Sequence, residues 1–149
     1  TEFNYRYADP KIAHVFVGVS IRNQEEANTL IKELRQSGLA TEDMSNNEMA
    51  KLHVRHLVGG HAHDVKNEIL YRFEFPDRPG ALMNFLNNMS HNWNISLFHY
   101  RNHGADYGRV LIGIQVPPEE KSDFKAFLNQ LGYRYWEETK NPAYKLFLG

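Results

Sequence analysis

The sequence of 149 residues contains no cysteine. Disulfides, thiolate metal sites and a cysteine nucleophile are therefore all excluded. There is no run of 18 apolar residues, so no segment reads as a membrane-crossing helix. Charge of one sign is not in excess: 17 Lys and Arg stand against 18 Asp and Glu, a formal net charge of −1. That balance gives no electrostatic reason to favour a polyanion. The motifs G-x-S-x-G, G-x-x-x-x-G-K-[ST] and G-x-G-x-x-G after a strand are missing, and no carboxylate dyad stands out. The first residues, TEFNYRYADP, have the pattern of neither a signal peptide nor a transit peptide. They lack Met and begin in strand-like sequence, as a segment cut from a longer chain would. What the chain does have is apolar content: 42% hydrophobic and 13% aromatic residues, enough for a true core and too much for global disorder.

The chain repeats itself. Phe3-Asn4-Tyr5-Arg6 resembles Phe98-His99-Tyr100-Arg101, and Val15-Phe16-Val17-Gly18-Val19 resembles Val110-Leu111-Ile112-Gly113-Ile114, both at an offset of 95. Ser37-Gly38-Leu39 matches Leu131-Gly132-Tyr133, and Ala50-Lys51-Leu52-His53-Val54 matches Tyr144-Lys145-Leu146-Phe147-Leu148, both at 94. Four matches in order, with one residue of slippage, indicate a duplicated unit.

In the second copy, residues 69–75 read as a strand. Leu82, Phe85, Leu86 and Met89 give a helical stripe at i, i+3, i+4, i+7. Residues 94–101 and 109–116 read as a hairpin turning near Gly104 and Gly108. Phe124, Phe127, Leu128 and Leu131 form the inner face of a helix stopped by Gly132, and 133–137 is a last strand. This is β-α-β-β-α-β, the ferredoxin-like split unit, an α+β fold with antiparallel sheets and helices on one face. The first copy gives strands at 3–7 and 13–20, a helix with Ala27, Leu30, Ile31 and Leu34 inside, and a strand near 40–44. It lacks the opening strand and helix. The expected division is a truncated first unit, 1–60, and a complete second unit, 61–149, joined through Gly59-Gly60 and His61–Asp64. The gap left by the missing strand would be filled by 50–58, which alternates, or by a second chain in an isologous dimer. The dimer is the favoured expectation, because unpaired strand edges are templates for another chain.

Two features carry candidate chemistry. The strand ending in Asp77-Arg78-Pro79-Gly80 opens directly into a helix. Pro suits a first helical position, Gly80 allows close approach, and the N–H groups of Ala81, Leu82 and Met83 would face a negative group. Against this, a plain helix cap accounts for the same turn. The duplicated Tyr5-Arg6 and Tyr100-Arg101 pairs are the second feature. Arg offers a fork of donors matched to carboxylate, and Tyr a flat wall with a hydroxyl tip. Neighbours on a strand point to opposite faces, so each pair divides between two surfaces. The cluster His53, His56, His61, His63 and Asp64 fits no compact zinc pattern, and these histidines read as solvated.

Five segments, Phe3–Arg6, Glu48–Gly60, Phe73–Leu86, Trp93–Leu111 and Glu138–Leu148, closely resemble the carboxy-terminal regulatory regions of the biosynthetic threonine dehydratases (threonine ammonia-lyases). The resemblance runs over essentially the whole chain. It implies two ACT-like subdomains that bind isoleucine as feedback inhibitor and valine as activator in isoleucine biosynthesis. It implies no chemistry in this chain, with pyridoxal phosphate on a catalytic domain elsewhere, and a cytoplasmic, plastid or mitochondrial setting. It further implies effector contacts from Tyr5, Tyr100 with Arg101, Arg55, and the turn residues Pro79, Gly80, Ala81 and Leu82. The competing readings are a structural dimerisation unit without a working ligand site and an RNA-binding ferredoxin-like sheet stacking bases on Phe98 and Tyr100.

Overall fold

A computed structural model describes residues 2–6, 14–54, 65–101 and 106–149. The chain runs β1 (Glu2–Arg6), β2 (His14–Gly18), α1 (Gln24–Gln36), α2 (Glu48–Leu52), β3 (Glu68–Pro76), α3 (Ala81–Asn88), β4 (Asn94–Arg101), β5 (Tyr107–Gln115), α4 (Lys121–Leu131), β6 (Arg134–Glu137) and α5 (Pro142–Phe147). A single 3-10 turn, Pro118–Glu120, leads into α4.

From β3 to β6 the order is β-α-β-β-α-β, and the four strands lie as β4-β5-β3-β6, antiparallel throughout. The opening strand of the unit is thus central, as the split topology requires. Alternation along β3 sends Tyr71, Phe73 and Phe75 to one face, where they pair with Ile112, Val110 and Gly108 of β5. On that face α3 and α4 bury Ala81, Phe85, Phe124, Phe127, Leu128 and Leu131. Phe73 and Phe85 meet edge to face, their ring centres 5.4 Å apart, a favoured aromatic geometry. The α4 stripe is the one its spacing predicts, and Gly132 ends the helix in the left-handed region at φ 69°. The α3 stripe is not. Ala81 and Phe85 are buried, whereas Leu82 and Leu86 are exposed. An apolar run of Ala-Leu-Met followed by Phe-Leu contains two stripes one residue apart, and the helix turns the one carrying the phenylalanine inward.

The other face of the sheet is covered too. There α2 and α5 bring Met49, Ala50, Ala143, Tyr144 and Leu148 onto Leu70 and Leu111, with Phe16 packed alongside. Residues 50–52, expected as part of a strand, therefore belong to a helix. Asn47 accepts the Ala50 N–H at 3.0 Å and caps it, a local bond that outweighs weak period-two alternation. Asn141 caps α5 in the same way, accepting the Ala143 N–H at 2.9 Å. The two caps also bond to each other: Asn47 Nδ2 donates to Asn141 Oδ1 at 2.7 Å, and Asn141 Nδ2 to Asn47 Oδ1 at 3.2 Å.

The first copy is thinner. β1 and β2 form a two-stranded antiparallel sheet with Tyr5 opposite Val15. The strand expected near 40–44 does not form; those residues have no regular structure. Its counterpart β6 exists by pairing with β3, and the first copy has no equivalent of β3 to pair with. For the same reason α1 buries only Ala27 completely, while Leu30, Ile31 and Leu34 stay half-buried. Asn23 caps this helix by accepting the Glu26 N–H at 2.9 Å.

Candidate functional site

The turn between β3 and α3 is built by backbone bonds. The Asp77 N–H donates to the Asp106 carbonyl at 3.0 Å and ties the turn to the start of β5. Gly80 sits at φ 86°, a left-handed conformation that glycine tolerates best. It has no side chain with which to cap α3. The Ala81 N–H is already used, donating to the Arg78 carbonyl at 3.3 Å, while no backbone acceptor among the described residues takes the N–H of Leu82 or Met83. Two of the three expected amides thus remain. The Tyr133 hydroxyl donates to the Ala81 carbonyl at 3.0 Å and fixes the first turn of the helix against α4 and β6.

Tyr100 comes to the same end and the same face. It pairs with Val110 on the helix side of the sheet, and its ring lies against Gly108, leaving no room for a Cβ there. Gly108 is opposite Phe75, one residue before Pro76. Tyr100 and Phe98, two apart on the edge strand β4, are 49% and 41% exposed, and Leu82 is 43% exposed. Exposed apolar side chains thus lie on the helix side of the unit, with Tyr100 at the end that carries the two uncapped amides. Two open depressions of about 600 and 440 Å³ lie elsewhere, one along α1 and one between α3 and α4 near Trp93, and neither is lined by the turn.

Arg101 points the other way, paired with Arg109 on the face covered by α2 and α5. The division of Tyr from Arg is the one expected from strand alternation. Tyr5 lies on β1 in the equivalent position. Arg55, His56, His61, His63 and Asp64 fall outside the described residues. No group of three or more His, Cys, Asp or Glu among the described residues could hold a metal, and no helix there is long and apolar enough to cross a membrane.

His53 corrects an expectation. It is completely buried rather than solvated. Its Nδ1 lies 2.8 Å from Nδ1 of His99 on β4, and its Nε2 has no hydrogen-bond partner. Burial, then the charges of His99, Arg72, Arg101 and Arg109, lower its pKa from 6.5 to about 3. The duplication held the signal, because the equivalent residue of the second copy is apolar Phe147. A second group missed from sequence is Glu68. It accepts from Tyr144 of α5 at 2.5 Å and from Ser96 in the β4 bulge, and burial with this carboxylate pushes the Tyr144 hydroxyl pKa up. Gly113 leaves the space that Glu68 and Ser96 occupy.

The family described as the C-terminal regulatory domain of threonine dehydratase matches residues 1–54 and 59–148. This chain belongs to that family. It is 53% identical over 148 residues to the biosynthetic L-threonine dehydratase of Burkholderia multivorans, covering 99% of this chain and 29% of that protein. Against the Escherichia coli protein of the same name the identity is 52% over 149 residues, with the same coverage. The mitochondrial threonine dehydratase of Saccharomyces cerevisiae is 48% identical over 158 residues, covering 99% of this chain and 27% of its own length. The chain therefore spans less than a third of these relatives, and what it matches is the regulatory domain. The uncapped helix and Tyr100 lie within this regulatory domain, in the longer matched segment.

Proposed function

We propose that this regulatory domain senses branched-chain amino acids, isoleucine as feedback inhibitor and valine as activator, on behalf of a threonine ammonia-lyase. Its two ACT-like subdomains would be residues 1–60 and 61–149. Pyridoxal phosphate and catalysis would belong to a domain outside this chain, and the whole would work as a homo-oligomer in the cytoplasm, or in a plastid or mitochondrion of a eukaryote. The supporting observation is the α3 turn. The Leu82 and Met83 amides meet no backbone acceptor, and Tyr100 stands at the same end and face with apolar surface on both sides. Uncapped amides at a helix N-terminus suit a negative group, and the flanking surface suits an aliphatic side chain. Pro79, Gly80, Ala81, Leu82 and Tyr100 would make this site, and Tyr5 its counterpart in the first copy, with Arg55 contributing. An RNA-stacking sheet is less well supported, because the sheet face opposite α3 and α4 carries α2 and α5.

The test is thermal unfolding with isoleucine and with valine. At a hundredfold excess over the dissociation constant either should add about 2.7 kcal/mol. No shift with either amino acid at millimolar concentration would leave the domain as a structural unit.

A further inference from the structure

β4 is an edge strand, paired with β5 alone. Its register is therefore set from one side only. Asn94 lies opposite Gln115 and Ile95 opposite Ile114, and Asn94 Nδ2 donates to Gln115 Oε1 at 2.8 Å. The next pairing is Leu97 with Gly113, so Ser96 is an extra residue in the strand, a bulge. Side chains alternate with a period of two, and one extra residue exchanges the two faces for everything beyond it.

The exchange decides which residues face the helix side. Ile95 packs against the core beneath α3 and α4, while Leu97 packs against the one beneath α2 and α5. Beyond the bulge, Phe98 and Tyr100 pair with Ile112 and Val110 and stand on the helix side, where the Tyr100 ring lies against Gly108. An unbroken strand starting from the same Ile95 would send Leu97, His99 and Arg101 to that side and turn Tyr100 away from it. Three residues hold the bulge. Glu68 reaches from β3 across β5, where its Oε1 accepts from the Ser96 hydroxyl and its Oε2 from the Tyr144 hydroxyl of α5 at 2.5 Å. Gly113 provides the room: a Cβ there would lie 2.7 Å from Glu68 Oε1, 2.8 Å from Ser96 Oγ and 3.0 Å from Leu97 Cβ. The last of these atoms is attached to the backbone, so the strand itself would have to move.

We propose that Ser96, Glu68 and Gly113 are positioning residues of the effector site, holding the bulge that presents Tyr100 on the helix side of the sheet. This rests on the amino-acid-sensing reading above, in which Tyr100 touches the ligand. The three stand on the opposite face and touch no ligand themselves; they act through the register of β4. Bulges commonly re-aim a side chain in this way beside a functional site.

The experiment is calorimetric titration of the full-length protein with isoleucine and with valine. The proteins are wild type, Ser96→Ala, Gly113→Ala and Tyr100→Ala, and each of the first two variants combined with Tyr100→Ala. Affinity for at least one of the two amino acids should fall about tenfold in Gly113→Ala and about threefold in Ser96→Ala. Neither change should weaken binding further once the Tyr100 ring is gone, because residues that act through a shared partner are not additive. A merely structural role would give the same loss with and without that ring. Unchanged affinity in either variant, or losses that add to that of Tyr100→Ala, overturn the proposal. If Gly113→Ala does not fold, Ser96→Ala decides alone. Tyr100→Ala that binds as wild type does overturns the placement of the site at Tyr100, and this proposal with it. Wild type that binds neither amino acid at millimolar concentration overturns the sensing reading itself, and both fall.

Discussion

The two faces of the four-stranded sheet are held by different means. Beneath α3 and α4 the contact is aromatic and apolar: Phe73, Phe75, Phe85, Phe124 and Phe127 interlock, and polar groups lie at its rim, such as the Trp93 indole donating to Glu120 at 2.7 Å. Beneath α2 and α5 apolar contacts are fewer, and buried or half-buried polar groups run through them: the His53–His99 pair, Glu68 with Tyr144 and Ser96, and Arg72 with Glu138. Apolar burial is non-directional and tolerates repacking. A buried polar network rigidifies when its groups are partnered, and each unpaired member is costly. The first face therefore supplies most of the stability, and the second is the one whose stability depends on protonation.

Three measurements sharpen this contrast. On the aromatic face, Phe73→Ala should cost about 3–5 kcal/mol through lost transfer energy and the cavity left behind. Denaturant unfolding should show the whole second unit affected as one transition.

On the polar face the response should be to pH. In the unfolded chain His53 takes up a proton near pH 6.5, whereas the folded chain holds its pKa at about 3. Between those values the unfolded state binds more protons, so stability is complete above pH 6.5 and falls as pH drops through the window. The loss from this group should approach about 1.4 kcal/mol for each pH unit below 6.5. His53→Phe, copying the equivalent Phe147, should flatten the pH dependence of stability between pH 6.5 and 5. Equal slopes in the two proteins would show that His53 does not govern the polar face.

The smallest effect should come from the caps. Asn47→Ala and Asn141→Ala should each cost about 1 kcal/mol. Because the two amides bond to each other, the double variant should lose less than the two single losses combined.

Much of the second unit was legible because its signals are long and periodic. The α4 stripe and the alternation of β3 each repeat over several turns or pleats, and Gly132 marks the end of α4. The short helices were harder to read. α2 spans five residues, too few for a helical period to show, and its only signal is the capping Asn47. At the candidate site, the turn and Tyr100 lie on the elements that the sequence assigned to them, the β3–α3 junction and β4. Leu82 and Leu86 were misassigned to the core, because residue type alone does not say whether an apolar side chain faces its own sheet or an exposed edge. Burial of His53 was hidden for the opposite reason, since a polar residue filled a position that the repeat marks as apolar.

The contact between Asn47 and Asn141 carries a geometric consequence. The two residues are 94 positions apart, the same offset that relates the later parts of the two copies, so each is the other's duplicate. A residue can exchange reciprocal bonds with its own duplicate only where the rotation relating the two copies passes between them. In an assembly of separate chains such a contact defines an isologous two-fold interface. Here it lies inside one polypeptide. The paired asparagines thus sit where a local two-fold relating the α2 and α5 caps would pass. Around that axis α5 brings Phe147 to within 5.9 Å of Phe16 in the first copy, while α2 of the first copy packs on Leu70 and Leu111 of the second. Elements of the first copy thus form part of the core beneath the second copy's sheet.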